Sequence, residues 1–429
     1  MLELVAEAKR RGIRVLLDLV AGHTSIDHPW FKRELYADGP DPEGDRYVWC
    51  KELPVREWSL DVPGTPAWVP SPGPRQGWYL KNFFDEQPAL NFGWAHVGEG
   101  EPWRDAVDAP GPRRNIQALK DIMAFWLERG VAGFRIDMAF SLVKDDGDVE
   151  RGQQLTAALW GEIREWLDTA YPDAVIVPEG KEPRTGAPLA FHADFFLVIH
   201  QEHASLFDNH FAGVLPFQAP QEPFFDAAGR GSMRVFLDGW NAAKELDPGR
   251  PVIMSTADHD FDRLRCGPRT EEQLGAALTF LLTWGSVPCL YYGDEIGMRY
   301  VPGMPEVEGS ICNPAYNRAG CRTPMQWDDG PNEGSPRLTR PGCTCPSIPI
   351  PRARRSRRRS RIPTPRSTSS SDSSRCERRH PRSARGWSPA CSTRATPSRT
   401  SAARRISAQA NSPAPHPCSP AGSRSSETP

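Results

Sequence analysis

Short apolar runs that each stop in a polar or charged cluster alternate with stretches of helical period between residues 13 and 292, and no other feature narrows the fold as far. The runs occupy 13–20, 131–139, 174–179, 191–197, 251–256 and 287–292. Between them apolar side chains recur on one helical face, as with Ile116, Leu119, Met123 and Trp126, or Leu155, Leu159, Ile163 and Leu167. Further helices are predicted over 233–246 and 271–284. Strands alternating with helices predict an α/β fold with a parallel sheet. Apolar strands that each end in polar residues suit a (β/α)8 TIM barrel, in which all strand C-termini meet on one face. Such a barrel takes eight strands and six are visible, in the places of strands 3 to 8, so an incomplete barrel is expected, with the first two strands upstream of Met1. A barrel open on that side leaves two unpaired edges, and weak stability with little turnover is the expectation for it.

The remaining segments divide the chain. Residues 1–23 supply a helix ending at Gly12 and the first visible strand, and 24–112 form a Pro-, Gly- and Trp-rich insertion too long for an ordinary βα loop, expected to be a loop-rich B subdomain. Asn115 is the expected N-cap of the next helix, and 113–337 carry the rest of the barrel. Beyond Leu338 there is no Leu, Val, Phe, Tyr, Met or Lys, and 352–361 is a basic run, so 338–429 is expected to be a disordered Arg/Ser/Pro-rich tail. Two origins compete for it: an RNA-binding tail, and translation of a GC-rich gene in a shifted frame, which is the one expected. Finding no Leu- and Val-rich sequence in the other two frames of the coding DNA would reject the second.

The run 131–139 ends in Gly133-Phe134-Arg135-Ile136-Asp137. In a strand, positions i and i+2 share a face, so Arg135 and Asp137 point the same way, and a guanidinium beside a carboxylate favours its ionised form. A structural ion pair would look the same, so acids at the other strand ends decide. Glu179 follows the apolar run 175–178, and His259 with Asp260 follow 251–256. A barrel would bring Asp137, Glu179 and Asp260 to one face. Two carboxylates flanking a scissile bond, one a nucleophile and one a proton donor of raised pKa, are the minimum for glycoside hydrolysis.

These residues resemble the α-amylase superfamily, glycoside hydrolase family 13. Its first four conserved regions are matched by Asp18-Leu19-Val20-Ala21-Gly22-His23, by Gly133 to Asp137, by Pro178-Glu179-Gly180 and by Asp258-His259-Asp260-Phe261-Asp262-Arg263. Gln87-Pro88-Ala89-Leu90-Asn91, Tyr291-Tyr292-Gly293-Asp294-Glu295 and Gly320-Cys321-Arg322-Thr323-Pro324-Met325-Gln326-Trp327 are similar to stretches of oligo-1,6-glucosidases, α-glucosidases and trehalose synthases. The resemblance implies a retaining double displacement in which Asp137 is the nucleophile, Glu179 the acid and base, and Asp260 the stabiliser of the oxocarbenium-like state. It assigns His23, Arg135, His259 and Arg263 to binding and orientation. Asp258 stands where Asn is frequent and Ala89 where Asp is frequent, which blurs the subtype; Gly22 stands where many members have a calcium-binding Asn, and no stretch matches the family's loop calcium site after the first strand, so no metal and no cofactor are expected, calcium included. His192, His200, His203 and His210 match no standard ligand spacing.

The expected partner is a small α-glucoside. A formal net charge of −2 argues against nucleic acid for the chain as a whole, no apolar run is long enough to cross a membrane, and no leader opens the chain, so a cytoplasmic location with reduced cysteines is expected. Transglycosylation of the trehalose synthase kind uses the same acids as hydrolysis, and an inactive carbohydrate-binding remnant is the third alternative. The sequence does not fix the oligomeric state.

Overall fold

The computed structural model describes residues 1–54, 67–98, 100–145, 147–179, 190–196, 200–207, 222–226, 230–305, 311–313 and 316–327. The expected tail, 338–429, lies outside them. The chain divides into two units, Met1–Arg359 and Ser360–Pro429, and the description concerns the first.

The helix α1 (Leu2–Arg10) stops before Gly12, which takes φ +74°, and leads into β1 (Leu16–Val20). Within the insertion lie the helix α2 (Pro29–Leu35) and three antiparallel strands, β2 (Trp49–Cys50), β3 (Trp68–Pro70) and β4 (Trp78–Leu80), in the order β2-β4-β3. Strands this short show no period, and side chains hold them instead. Buried Glu34 accepts N–H bonds from Arg46 (2.6 Å) and Tyr47 (3.3 Å) and from Trp49 Nε1 (2.9 Å), and Phe31 stacks on Trp49.

Alternation then resumes with α3 (Pro110–Leu127), β5 (Gly133–Asp137), α4 (Val149–Ala170) and β6 (Val175–Pro178). Asn115 is not the cap: α3 starts five residues earlier at Pro110, whose ring suits a first helical turn, and buried Asn115 donates its amide to the carbonyls of Arg46 and Asn91. β1, β5 and β6 pair in parallel, with Asp18 opposite Arg135 and Arg135 opposite Val177. The approach of β5 to β6 requires glycine at Gly133, where φ is +151° and a Cβ would collide with the carbonyl of Val175. Leu19, Phe134, Ile136 and Ile176 turn to the helices and form one core with Ile116, Met123, Trp160 and Ile163. The alternate residues, Asp18, Arg135 and Asp137, therefore face the other way.

The second half contains β7 (Asp194–Phe196), α5 (Gln201–Phe207), α6 (Arg234–Leu246), β8 (Val252–Ser255), α7 (Glu271–Thr283) and β9 (Val287–Cys289). β7, β8 and β9 pair in parallel over a separate core of Phe196, Phe236, Val252, Met254, Leu274 and Leu281. β10 (Ile311–Asn313) and β11 (Tyr316–Asn317) form a small antiparallel pair, followed by a 3-10 turn at Arg318–Gly320. Cys50, Cys266 and Cys321 are buried free thiols.

The six expected strands are all present, shortened at their ends, yet the described residues form no closed barrel. They form two three-stranded parallel sheets. Among the described residues no ladder joins β6 to β7; the backbone of His192 and its ring meet Ile176 instead. Among the described residues β1 and β9 have no partner on their outer edges, where Leu16, Val20 and Val287 are 38%, 43% and 47% exposed. No described helix is long and apolar enough to cross a membrane.

Candidate active site

The C-terminal ends of β1, β5 and β6 present Asp18, Asp137 and Glu179 to a single guanidinium. Arg135 Nη1 donates to Asp18 Oδ1 at 2.7 Å and to Asp137 Oδ1 at 2.9 Å, while Nη2 lies 2.6 Å from Glu179 Oε1. The arginine is fixed because β5 is central in its sheet, with Asp18 as its register partner on β1. Glu179 Oε2 accepts the backbone N–H of Met138 at 3.0 Å. Met138 adopts φ +44°, unusual for a residue with a side chain, and this conformation aims the amide that follows Asp137 at the acid. The turn is pinned by Trp160 Nε1, which donates to Ala139 O at 2.8 Å.

Burial pushes the Glu179 carboxyl up to about 7; Arg135 opposes this, and the negative charges of Asp137 and Asp260 add to it. A carboxyl that keeps its proton near neutrality beside an arginine-held carboxylate is the pairing of donor and nucleophile that glycoside cleavage needs.

Asp260 comes from the other half of the molecule, after β8. Arg318 Nη1 and Arg322 Nη2 converge on its Oδ1 at 2.8 and 2.9 Å, and His259 Nε2 lies 3.6 Å from Oδ2. Burial raises its proton affinity, but His259, Arg318 and Arg322 outweigh burial and hold it below the usual carboxylate range. Asp258 Oδ1 accepts the N–H groups of Asp260 and Phe261 at 2.8 and 3.0 Å, closing the turn that carries Asp260. Arg322 Nε also donates to the carbonyl of His259 at 2.7 Å.

His23 reaches the same cleft from beyond β1. Asn82 Nδ2 contacts its Nδ1 at 3.0 Å, leaving Nε2 to carry the proton, and burial lowers its pKa. Gly22 offers no side-chain oxygen at this position, and the Asn82 amide nitrogen is turned to His23. A groove of about 870 Å³ opens beside His23, with Trp30, His28, Gln87 and Leu90 in its walls.

Asp137, Glu179, Asp260, Arg135, His23 and His259 thus belong to one neighbourhood. Arg263 does not join them. Its fully buried guanidinium lies over the rings of Tyr291 and Tyr292, donates to the Tyr292 carbonyl at 2.6 Å and sits 3.7 Å from Asp294, a position that lends no support to sugar binding. Of the four histidines, His203 donates to the Ser255 carbonyl at 2.7 Å, His192 contacts β6, and His210 lies outside the described residues. Arg318, Arg322 and Asn82 were not singled out by sequence. Arg322 lies within a recognised motif, whereas no local signal marks Arg318 or Asn82, which arrive from distant segments.

Residues 1–340 match the family model described as the alpha-amylase catalytic domain. The trehalose synthase/amylase TreS of Mycobacterium tuberculosis is 30% identical over 365 residues, which cover 77% of this chain and 54% of that protein. The glucan 1,6-alpha-glucosidase of Streptococcus pneumoniae is 27% identical, over 77% of this chain and 62% of that one. The chain therefore spans little more than half the length of these curated relatives. Among solved structures, the isomaltulose synthase of Klebsiella sp. LX3 superposes with a TM-score of 0.56 at 20% identity, over 78% of this chain and 63% of that chain, a likeness of fold.

Proposed function

The chain belongs to the alpha-amylase catalytic-domain family, and from that premise we propose that it cleaves α-glucosidic bonds of short saccharides by a retaining double displacement. The observation that carries this is the sharing of one guanidinium by Asp137 and Glu179, with the Met138 amide on the second oxygen of the acid. Asp137 attacks the anomeric carbon while Glu179 gives its proton to the departing oxygen. Water then enters with Glu179 as base, and the C–O bond to Asp137 breaks. Asp260, kept ionised by its arginines, faces the positive charge that develops on the ring. Arg135 orients both acids, and His23 and His259 bind sugar hydroxyls.

The test is covalent trapping with 5-fluoro-α-glucosyl fluoride, because a single turnover suffices. The Asp137 carboxylate forms a bond to C1, the C1–F bond breaks, and fluoride leaves without needing a proton. Mass spectrometry is expected to find the adduct on the peptide holding Asp137 and nothing on Asp137→Asn. An adduct elsewhere, or none, would falsify the assignment.

A second reading is transfer of the glucosyl group to a sugar instead of water. It is favoured by the 30% identity to a trehalose synthase/amylase, against lower identity to the glucosidase. Both outcomes share the glycosyl-enzyme, so products formed from maltose, sucrose and isomaltose separate them: free glucose for hydrolysis, a rearranged disaccharide for transfer.

A further inference from the structure

His192 stands apart from the acids and occupies the point where the two half-sheets meet. Its backbone N–H donates to the Ile176 carbonyl at 3.0 Å, and the Ile176 N–H donates to His192 Nδ1 at 3.0 Å. The ring takes the place of the carbonyl that a neighbouring strand would offer. A ring nitrogen accepts a hydrogen bond only when it carries no proton, so this geometry requires the neutral ring, with its hydrogen on Nε2. The flanking backbone is tied down as well: Arg164 Nη1 donates to the Ala190 carbonyl at 2.9 Å and Arg250 Nη1 to the Phe191 carbonyl at 3.0 Å. Ile176 lies three residues before Glu179, whose own N–H donates to the Ile136 carbonyl at 2.8 Å. In a strand of four residues, the contact at Ile176 is one of few that fix where Glu179 stands.

We infer that His192 is a positioning residue: its neutral imidazole splices β6 to the segment entering β7 and thereby holds Glu179 within reach of Asp260 on the other half. This rests on the proposed role of Glu179 as proton donor. The charged groups facing the ring are Arg164 and Asp168 from α4, with Asp168 Oδ1 at 3.8 Å from Nε2, and Arg250 from the turn before β8; β6 contributes backbone. Burial, then Arg164, then Arg250 work against protonation, Asp168 works for it, and the balance lies below the ordinary value of 6.5. A base whose folded pKa is depressed stabilises the fold above its unfolded value, and this contribution is lost as pH falls through the folded value. The splice should therefore open on the acid side.

Hydrogen exchange of the full chain, followed on peptides covering residues 174–179 and corrected for intrinsic rates, reads the splice directly. Between about pH 7.5 and about pH 5, the wild type is expected to lose protection there by about tenfold while peptides from α7 stay unchanged. His192→Asn, whose Oδ1 accepts without titrating, should stay protected at both values, and His192→Leu at neither. Equal protection of the wild type at both values, or the same loss in His192→Asn, overturns the inference. Turnover of maltose needs a proton donor, whereas labelling of Asp137 by the fluoride does not. As Glu179 gains its proton on acidification, their ratio should rise in His192→Asn, and in the wild type it should rise less or fall. Opening of the splice with the same rise in both proteins overturns the positioning role. Absence of Asp137 labelling at every pH overturns the functional reading, and the positioning role with it, while the exchange result stands.

Discussion

One guanidinium holds Asp18, Asp137 and Glu179, so the chemistry of the site depends on how each carboxyl shares that charge. Glu179 keeps its proton up to about 7. As donor it should therefore fail as pH rises through that value, giving turnover an alkaline limb. Glu179→Gln is expected to lower turnover of maltose by about 10²–10⁴ and to remove that limb while leaving Asp137 labelling by the fluoride, a comparison made in one pH series. The sign for stability follows the same shift: a raised carboxyl contributes fully below its ordinary value of 4.5, and the contribution is lost as pH rises through about 7. Asp260 is the opposite case. Its contribution is present above the ordinary 3.8 and fades as pH falls through its lower folded value. Arg318→Ala should raise the pKa of Asp260, move the acid limb of turnover upward, and cost about 1–3 kcal/mol in urea unfolding.

The elements were legible where period and length cooperate. β5 announces itself because Phe134 and Ile136 alternate with Arg135 and Asp137, and the same alternation places the acids on the face away from the core. The helices α4 and α7 repeat apolar residues over several turns, and the ends of α7 fall within a residue of expectation. The start of α3 was missed because Asn115 resembles a cap, while its amide serves long-range contacts to Arg46 and Asn91 that no local pattern encodes. Strands of two or three residues in the insertion carry no period, and Asn82 and Arg318 reach the site through folding alone. Where a cap is real it has a measurable weight. Thr270 and Gln273 form a reciprocal capping box on α7, and Thr270→Ala should cost about 1 kcal/mol by urea unfolding.

At the scale of the molecule, three apolar clusters share no buried residue among those described: a small one in the insertion around Trp68 and Trp94, and two larger cores. Of the larger two, one gathers Val5 to Phe191, the other Phe196 to Leu281. Unfolding is therefore expected to proceed in two steps. Phe134→Ala should lower the first core, and Phe236→Ala the second, by about 3–5 kcal/mol each, with circular dichroism and tryptophan fluorescence resolving separate midpoints in urea. A single transition shifted equally by both substitutions would contradict this. Neither core alone carries a complete site, since Asp137 and Glu179 stand on one sheet while Asp260, Arg318 and Arg322 stand with the other. Among the described residues, hydrogen bonds from His192 and Arg250 run between the halves. Dissolved ions weaken such contacts and spare apolar burial: the screening length is about 8 Å at physiological ionic strength and about 3 Å at 1 M. Salt should accordingly act on this protein as an alignment variable, misplacing the acids at concentrations that leave both cores folded.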